Sequence, residues 1–160
     1  MNHRDTIFNA WNCAWGAGDL GPFEQLLAPD YICHSRSGIL NLDGLRKTIE
    51  AIHAAFPDFT TDVLHVIEDR ATAAVHWRGT GTHTGTFMDI LPTGRTITVA
   101  GASFLRFNGE TISEEWVVCE PGELLSGLGL WHLVPESQHP YSPPLLGSGG
   151  PRSPTRRRPP

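Results

Sequence analysis

The chain has little cysteine, with three residues, Cys13, Cys33 and Cys119, spread over 160 positions. They are odd in number and far apart, and no two of them form a Cys-x-x-Cys pair. This spacing excludes a disulfide framework and a thiolate zinc site. Reduced thiols are typical of the cytoplasm, which is the localisation that we expect.

Long apolar runs are also missing. No stretch approaches the roughly 20 apolar residues that a membrane span requires, and the first residues lack the basic and then apolar pattern of an export signal. A hydrophobic fraction of 39% and a charged fraction of 18% are ordinary for a globular domain. We therefore expect neither a membrane-bound nor an exported protein.

Motifs for metals, phosphates and activated nucleophiles are absent as well. The 8 histidines form no closely spaced pair with a carboxylate nearby, as a metal site would need. The glycines between Gly79 and Gly85 lie within a predicted strand and open no helix, so they cannot cradle a phosphate. There is no Gly-x-Ser-x-Gly turn. We expect neither a metal nor a cofactor, and acid-base chemistry is what remains.

The charge is unevenly distributed. Of the 12 basic residues, 4 lie at the carboxyl end, Arg152, Arg156, Arg157 and Arg158, which leaves 8 basic against 16 acidic residues up to Val134. An acidic body repels a phosphate backbone. Nucleic acid is therefore not an expected partner.

The length suits one domain, which we place at residues 1–134. Beyond Val134 the sequence holds 8 of the 13 prolines together with Gly147, Gly149 and Gly150. Such a composition cannot offset the entropy lost on ordering. We expect residues 135–160 to be a disordered tail.

Helical spacing comes first along the chain. Phe8, Trp11 and Trp15 share one face of a helix predicted over residues 5–17. A short second helix must end by Pro29, and residues 31–35 resemble an extended segment. A third helix is predicted over residues 42–55, with Asn41 as its N-cap.

From Phe59 onward the apolar period changes to two. Strands are predicted at residues 59–67, 71–85, 95–107 and 110–120, with Asn108-Gly109 as a hairpin turn, and a short helix at residues 123–130. The fold class is α+β: three N-terminal helices pack on a curved, antiparallel, four-stranded sheet, followed by a short C-terminal helix. The inward side chains of such a cone define a pocket.

Several motifs together resemble one family. They are Ala55-Phe56-Pro57-Asp58, Gly81-Thr82-His83-Thr84-Gly85, Pro92-Thr93-Gly94-Arg95, the hairpin at Asn108-Gly109, residues 112–116 and residues 124–129. Over residues 5–131 the chain resembles the SnoaL-like polyketide cyclases of the nuclear transport factor 2-like (NTF2-like) fold group. The resemblance implies a cofactor-free enzyme, assembled as a homodimer, that closes a ring of a polyketide bound in the cone.

The family's aldol cyclases use an aspartate, supported by a histidine. The resemblance matches the aspartate to Val117 and the histidine to Ser103. Because neither catalytic side chain is present, ring closure by epoxide opening, or an isomerisation, is more plausible here than an aldol condensation.

Glu115 is the first candidate catalytic residue. Alternate residues of a strand share a face, so Glu115 faces the cone if Val117 does. A partly desolvated carboxylate there would have a raised pKa suited to proton transfer. The alternative is that Glu115 lies on the surface, since Glu114 and Glu115 are adjacent and one of them must usually face water.

His83 is the second candidate. It follows Gly79 and Gly81, which thin the strand for a close approach. A neutral imidazole there can exchange a proton near pH 7, and pairing with Glu115 would fix its tautomer. Alternatively, His83 caps a bend through the hydroxyls of neighbouring threonines.

Five further residues could bind the substrate: Trp15, Tyr31, Trp77, Ser103 and Val117. The aromatic groups would form walls for a ring system, although aromatic residues also dominate ordinary cores. The first hypothesis is a cyclase or isomerase that acts on a small natural-product intermediate. The alternatives are a non-catalytic small-molecule binding module of the same fold and an epoxide hydrolase or hydroxylase variant.

Overall fold

The computed structural model describes residues 4–36, 38–119 and 121–130. The predicted tail, residues 135–160, lies outside this part of the chain. None of the helices in the described residues is long and apolar enough to cross a membrane.

The described residues form four α-helices. They are α1 (Arg4–Trp11), α2 (Gly21–Glu24), α3 (Leu42–Ala55) and α4 (Pro121–Gly127). The first predicted helix is α-helical as far as Trp11. It then continues as a π-helical turn, Asn12–Gly16. Asn41 caps α3 as predicted, since its Oδ1 accepts a hydrogen bond from the Gly44 amide at 3.0 Å.

Six strands form one sheet. They are β1 (Leu27–Ser35), β2 (Gly38–Leu40), β3 (Thr60–Asp69), β4 (Thr72–Thr82), β5 (Thr96–Asn108) and β6 (Thr111–Cys119), in the order β2-β1-β6-β5-β4-β3. The strands from β3 to β6 form the predicted antiparallel meander. The α+β class is confirmed.

The prediction of a purely antiparallel sheet with four strands was wrong. The segment expected to be a short extended stretch is the nine-residue β1, and it pairs with β2 on one side. On its other side β1 pairs in parallel with β6, with Cys33 opposite Glu115. This pairing joins distant parts of the chain, so no local pattern announces it, and Pro29 within the strand hides its length.

Two apolar clusters fill the inner face of the sheet. The larger one joins α1, α2 and α3 to β1 and to all four strands of the meander. Within it, Trp11 meets Phe23 edge to face with ring centroids 4.9 Å apart. The smaller one contains Ala55, Phe56, Phe59, Ile97 and Leu128. The two clusters therefore divide the cone into a deep part under α1 and a second part near α4.

Two glycines let aromatic rings lie flat on the sheet. A Cβ added at Gly101 would lie 2.5 Å from Cζ2 of Trp77, and one at Gly79 would lie 2.4 Å from Cζ of Phe59. Both distances are shorter than real side chains tolerate. The group that approaches the thinned part of β4 is thus the Phe59 ring.

Candidate functional site

Glu115 points into the cone. Its residue surface is 3% exposed, whereas Glu114 faces outward and binds His34 at 2.8 Å and the guanidinium of Arg106. Of the two adjacent carboxylates, the structure therefore turns Glu114 to the surface and Glu115 to the core, as strand alternation requires.

A directed hydrogen-bond network holds the Glu115 carboxylate. The Tyr31 hydroxyl donates to its Oε2, and Ser103 makes a second side-chain hydrogen bond to it. The Trp77 Nε1 lies 3.2 Å from the Ser103 Oγ. Because an indole N–H can only donate, Ser103 accepts from Trp77 and its own hydrogen points to Glu115.

Burial raises the pKa of Glu115 above its ordinary value, and the hydrogen bonds from Tyr31 and Ser103 act in the opposite direction. Burial and the neighbouring Glu115 carboxylate also raise the pKa of Tyr31. The Tyr31 phenol is therefore a neutral donor, and Glu115 is the group of this cluster that can exchange a proton.

Cys33 is a member of the cluster that sequence reasoning did not select. It lies opposite Glu115 across the β1–β6 pair, and burial, together with the Glu115 charge, raises the pKa of its thiol to about 12. It is a neutral, unreactive thiol at physiological pH. The sequence did show that Cys33 shares a strand face with Tyr31, two residues before it. That pattern points to the site only once β1 is known to pair with β6.

Ser103 and Val117 are direct neighbours across β5 and β6. The two positions that the resemblance equates with the histidine and the aspartate therefore lie side by side. Glu115 lies two residues from Val117 on the same strand face. An apolar side chain thus occupies the position that the resemblance equates with the aspartate, and the carboxylate of Glu115 lies two residues away along β6.

Trp15, Trp77 and Val117 are partly buried and pack against the larger apolar cluster. Trp15 belongs to the π-helical turn, and its carbonyl oxygen lies 3.0 Å from the Nε2 of His53. The structure therefore links five of the seven candidate residues through direct contacts or strand pairing, Tyr31, Trp77, Ser103, Glu115 and Val117, while Trp15 packs on the same apolar cluster.

His83 is fully buried in a different place. Its ring lies against Phe56, with centroids 5.1 Å apart. The Thr93 amide donates to its Nδ1 at 3.2 Å, so the proton of the neutral ring lies on Nε2. That Nε2 has no hydrogen-bond partner among the described residues. The partner of His83 is thus Thr93 in the following loop, and the Thr82 hydroxyl binds Asp58 instead.

The predicted pairing of His83 with Glu115 is not formed. Leu105 pairs with Glu115 on one side and with Ala73 on the other. Ala73 precedes His83 by ten residues along the chain, which corresponds to a path of roughly 30 Å at about 3.3 Å per residue. The alternation rule gives the face of a residue but not its position along the strand.

Asn12 and Thr61 are two further polar residues that sequence reasoning missed. Asn12 Oδ1 and Thr61 Oγ1 are buried, and neither has a hydrogen-bond partner among the described residues. Asn12 follows Phe8 by four residues and precedes Trp15 by three, so the α period places it on the predicted helix face, but only apolar residues of that face were selected. Within residues 4–36, 38–119 and 121–130, no group of three or more histidine, cysteine, aspartate or glutamate side chains is arranged to hold a metal ion.

Comparison with known proteins identifies the family. The sequence model of the SnoaL-like polyketide cyclases matches residues 5–126. The chain belongs to this family. The family predicted from the sequence motifs is thus confirmed, while no protein of curated function matches the chain.

Solved structures of this family have the same fold. AclR from Streptomyces galilaeus, provisionally named a hydroxylase, is 28% identical with a TM-score of 0.72, and the match covers 81% of this chain and 97% of AclR. IdmH from Streptomyces antibioticus, provisionally named a polyketide cyclase, is 26% identical with a TM-score of 0.70 and coverage of 81% and 99%. A Catenulispora acidiphila protein with a ketosteroid isomerase-like fold matches at 17% identity, a TM-score of 0.66 and coverage of 81% and 97%, which supports the fold alone.

Proposed function

We propose that this SnoaL-like protein is a cofactor-free cyclase or isomerase, in which Glu115 performs acid-base catalysis on a polyketide-type small molecule. The observation that carries the proposal is the buried Glu115 carboxylate, held by Tyr31 and Ser103 beside Val117. A raised pKa brings a carboxyl group closer to neutral pH, where it exchanges protons most effectively.

In this proposal, Ser103 lies between the Glu115 carboxylate and the substrate. Its hydroxyl hydrogen points to Glu115, and its neighbour across the sheet is Val117. For ring closure by epoxide opening, Ser103 takes the proton of a substrate hydroxyl as its own proton moves to Glu115. A new C–O bond forms as the epoxide C–O bond breaks, and the reverse transfer protonates the resulting alkoxide. Ring closure of this kind conserves mass and needs no co-reactant.

Trp15, Trp77 and Val117 form the walls around the reacting part of the substrate in this proposal. They are among the partly buried apolar residues that pack on the cluster containing Tyr31, so each of them keeps surface against which a flat ring system can pack. The provisional name of IdmH, a polyketide cyclase, supports a polyketide-type substrate.

The test compares turnover of a panel of polyketide intermediates, followed by liquid chromatography and mass spectrometry. We expect Glu115→Gln to lower kcat by about 10²- to 10⁴-fold, with little change in KM, because the side-chain shape is retained. Turnover by Glu115→Gln within tenfold of the parent enzyme would sink the acid-base proposal.

His83→Gln is a further arm of the same experiment. If His83 is catalytic, as the sequence predicts, His83→Gln should lower kcat as much as Glu115→Gln does. Given its bonds to Thr93, we expect instead that His83 positions residues 83–95 and that His83→Gln retains kcat within about tenfold.

Two other functions remain as alternatives. Val117 at the acid position favours a binding module, which would bind panel members without converting them. The provisional name of AclR favours a hydroxylase, whose product would be heavier than the substrate by one oxygen atom. The chromatographic retention time separates an isomeric product from unconverted substrate, and the mass identifies a hydroxylated product.

A further inference from the structure

Two buried polar groups of the cone are not used by the proposed chemistry. Asn12 Oδ1 and Thr61 Oγ1 have no hydrogen-bond partner among the described residues, although both atoms are shielded from solvent. An unpaired buried polar atom loses its hydrogen bonds to water without replacement, so such atoms are rare and need an explanation.

The two groups lie on facing elements. The π-helical turn packs against β3, and Thr61 Oγ1 lies 3.7 Å from the position of a Cβ added at Gly16. Asn12 precedes Gly16 by four residues, close to one turn of a π-helix, so the two residues share a face of the turn. Both oxygens therefore border the same narrow region between the turn and the strand.

Thr61 also lies close to the residues proposed as walls around the substrate. It shares the inner face of β3 with its neighbour Val63, which pairs with Trp77 on β4. Trp15 lies in the same π-helical turn as Asn12. The region between the turn and β3 is therefore continuous with the walls assigned to Trp15 and Trp77.

We propose that Asn12 and Thr61 form a subsite for a hydroxyl group of the substrate. A hydroxyl suits both atoms, because it can donate its hydrogen to Asn12 Oδ1 and accept the hydrogen of the Thr61 hydroxyl. The subsite rests on the proposed function, since it binds the substrate of the site that contains Glu115.

The position of the subsite sets the size of the substrate. Thr61 pairs with Gly79, and Ser103 pairs with Val75, on the shared strand β4. These two rows of the sheet are four residues apart, or about 13 Å along the strand. A substrate that reaches both rows is therefore elongated, with its hydroxyl at the end remote from the reacting atom.

The first test needs no ligand. Thr61→Val keeps the shape and the strand preference of the side chain and removes the unpaired hydroxyl, so we expect Tm to rise by about a degree or more. Thr82→Val is the matched control on the neighbouring strand, because the Thr82 hydroxyl donates to Asp58 at 2.7 Å. Its Tm should fall. A fall of similar size for Thr61→Val would show that the Thr61 hydroxyl is a structural group and would overturn the subsite.

The second test uses a matched pair of probes, a monohydroxyanthraquinone and the parent anthraquinone, with Kd measured from quenching of tryptophan fluorescence. We expect the parent protein to bind the hydroxylated probe about three- to tenfold more tightly, as one hydrogen-bonded group provides. Thr61→Val and Asn12→Leu should remove this preference without weakening the binding of anthraquinone.

The outcomes separate the subsite from the catalytic proposal. A preference for the hydroxyl that persists in both variants, or no binding of either probe, would overturn the subsite. Loss of the preference together with full turnover by Glu115→Gln would retain the subsite and reject the proposed chemistry.

Discussion

At the scale of single residues, the burial of Glu115 lowers the stability of its ionised form and also suits the residue to proton exchange. A carboxyl group that is removed from water favours its protonated form, and the donors Tyr31 and Ser103 limit that shift without cancelling it. The same balance makes Glu115 suitable for proton exchange and makes the stability of the fold depend on pH.

The direction of this dependence follows from proton linkage. Above the ordinary carboxyl pKa of 4.5, the unfolded chain has released the Glu115 proton while the folded chain retains it. The folded state then binds more protons, so its stability falls as pH rises from 4.5 through the raised pKa. Glu115→Gln removes this contribution.

We therefore expect the free energy of unfolding of Glu115→Gln to exceed that of the parent increasingly as pH rises above 4.5. Urea unfolding at a series of pH values measures this difference, and the other titrating groups cancel because both proteins share them. Parallel pH profiles for the two proteins would contradict the burial of an ionisable group at this position.

At the scale of elements, β4 and β5 hold the aromatic wall through their glycines. Trp77 lies over Gly101, and its N–H reaches Ser103 from there. The orientation of the wall thus depends on a missing side chain in the adjacent strand.

Gly101→Ala tests this dependence, because the added Cβ would lie 2.5 Å from the Trp77 ring and 2.7 Å from the Val118 carbonyl oxygen. We expect Tm to fall and the affinity for anthraquinone to fall by about tenfold or more, since the ring must leave its place. Gly79→Ala displaces Phe59 instead. The Tm of Gly79→Ala should also fall, but its affinity for anthraquinone should be retained. An equal loss of affinity in both variants would show that the substitutions disturb the whole sheet rather than the Trp77 ring.

The elements also show how far a sequence can be interpreted. The helix α3 with its cap at Asn41 and the meander follow from local periodicity and were predictable. The face of Glu115 stayed open, because parity alone does not say which of the adjacent Glu114 and Glu115 lies inside. The parallel β1–β6 pair was not, because strand pairing between distant segments leaves no local pattern. The proposed partnership of His83 and Glu115 was wrong for a related reason: shared parity places residues on one face without fixing their distance along it.

At the scale of the whole molecule, the outer face of the sheet is the surface most suited to association. Several of its apolar side chains are exposed: Ile32, Ile67, Phe104 and Val118. Apolar groups concentrated on one open face of a sheet are typical of a protein interface. This surface supports the predicted homodimer.

We expect light scattering after size exclusion to give twice the chain mass of 17.5 kDa and Val118→Glu to give the single chain, because a charge would be buried in the interface. Leu91→Glu is the control, since Leu91 is an exposed apolar residue in the β4–β5 loop. A monomeric parent, or a dimer that persists in Val118→Glu, would exclude this face as the interface.

The hydrogen bond between Tyr31 and Glu115 joins residues that are 84 positions apart in the chain. Local helices and hairpins form quickly, whereas contacts of such long separation must first overcome the entropy of closing the intervening loop. A nascent chain that has not yet released β6 from the ribosome lacks Glu115 and Val117. The proposed site is therefore completed among the last events of folding, and ligand binding would report that the β1–β2 pair has joined the meander.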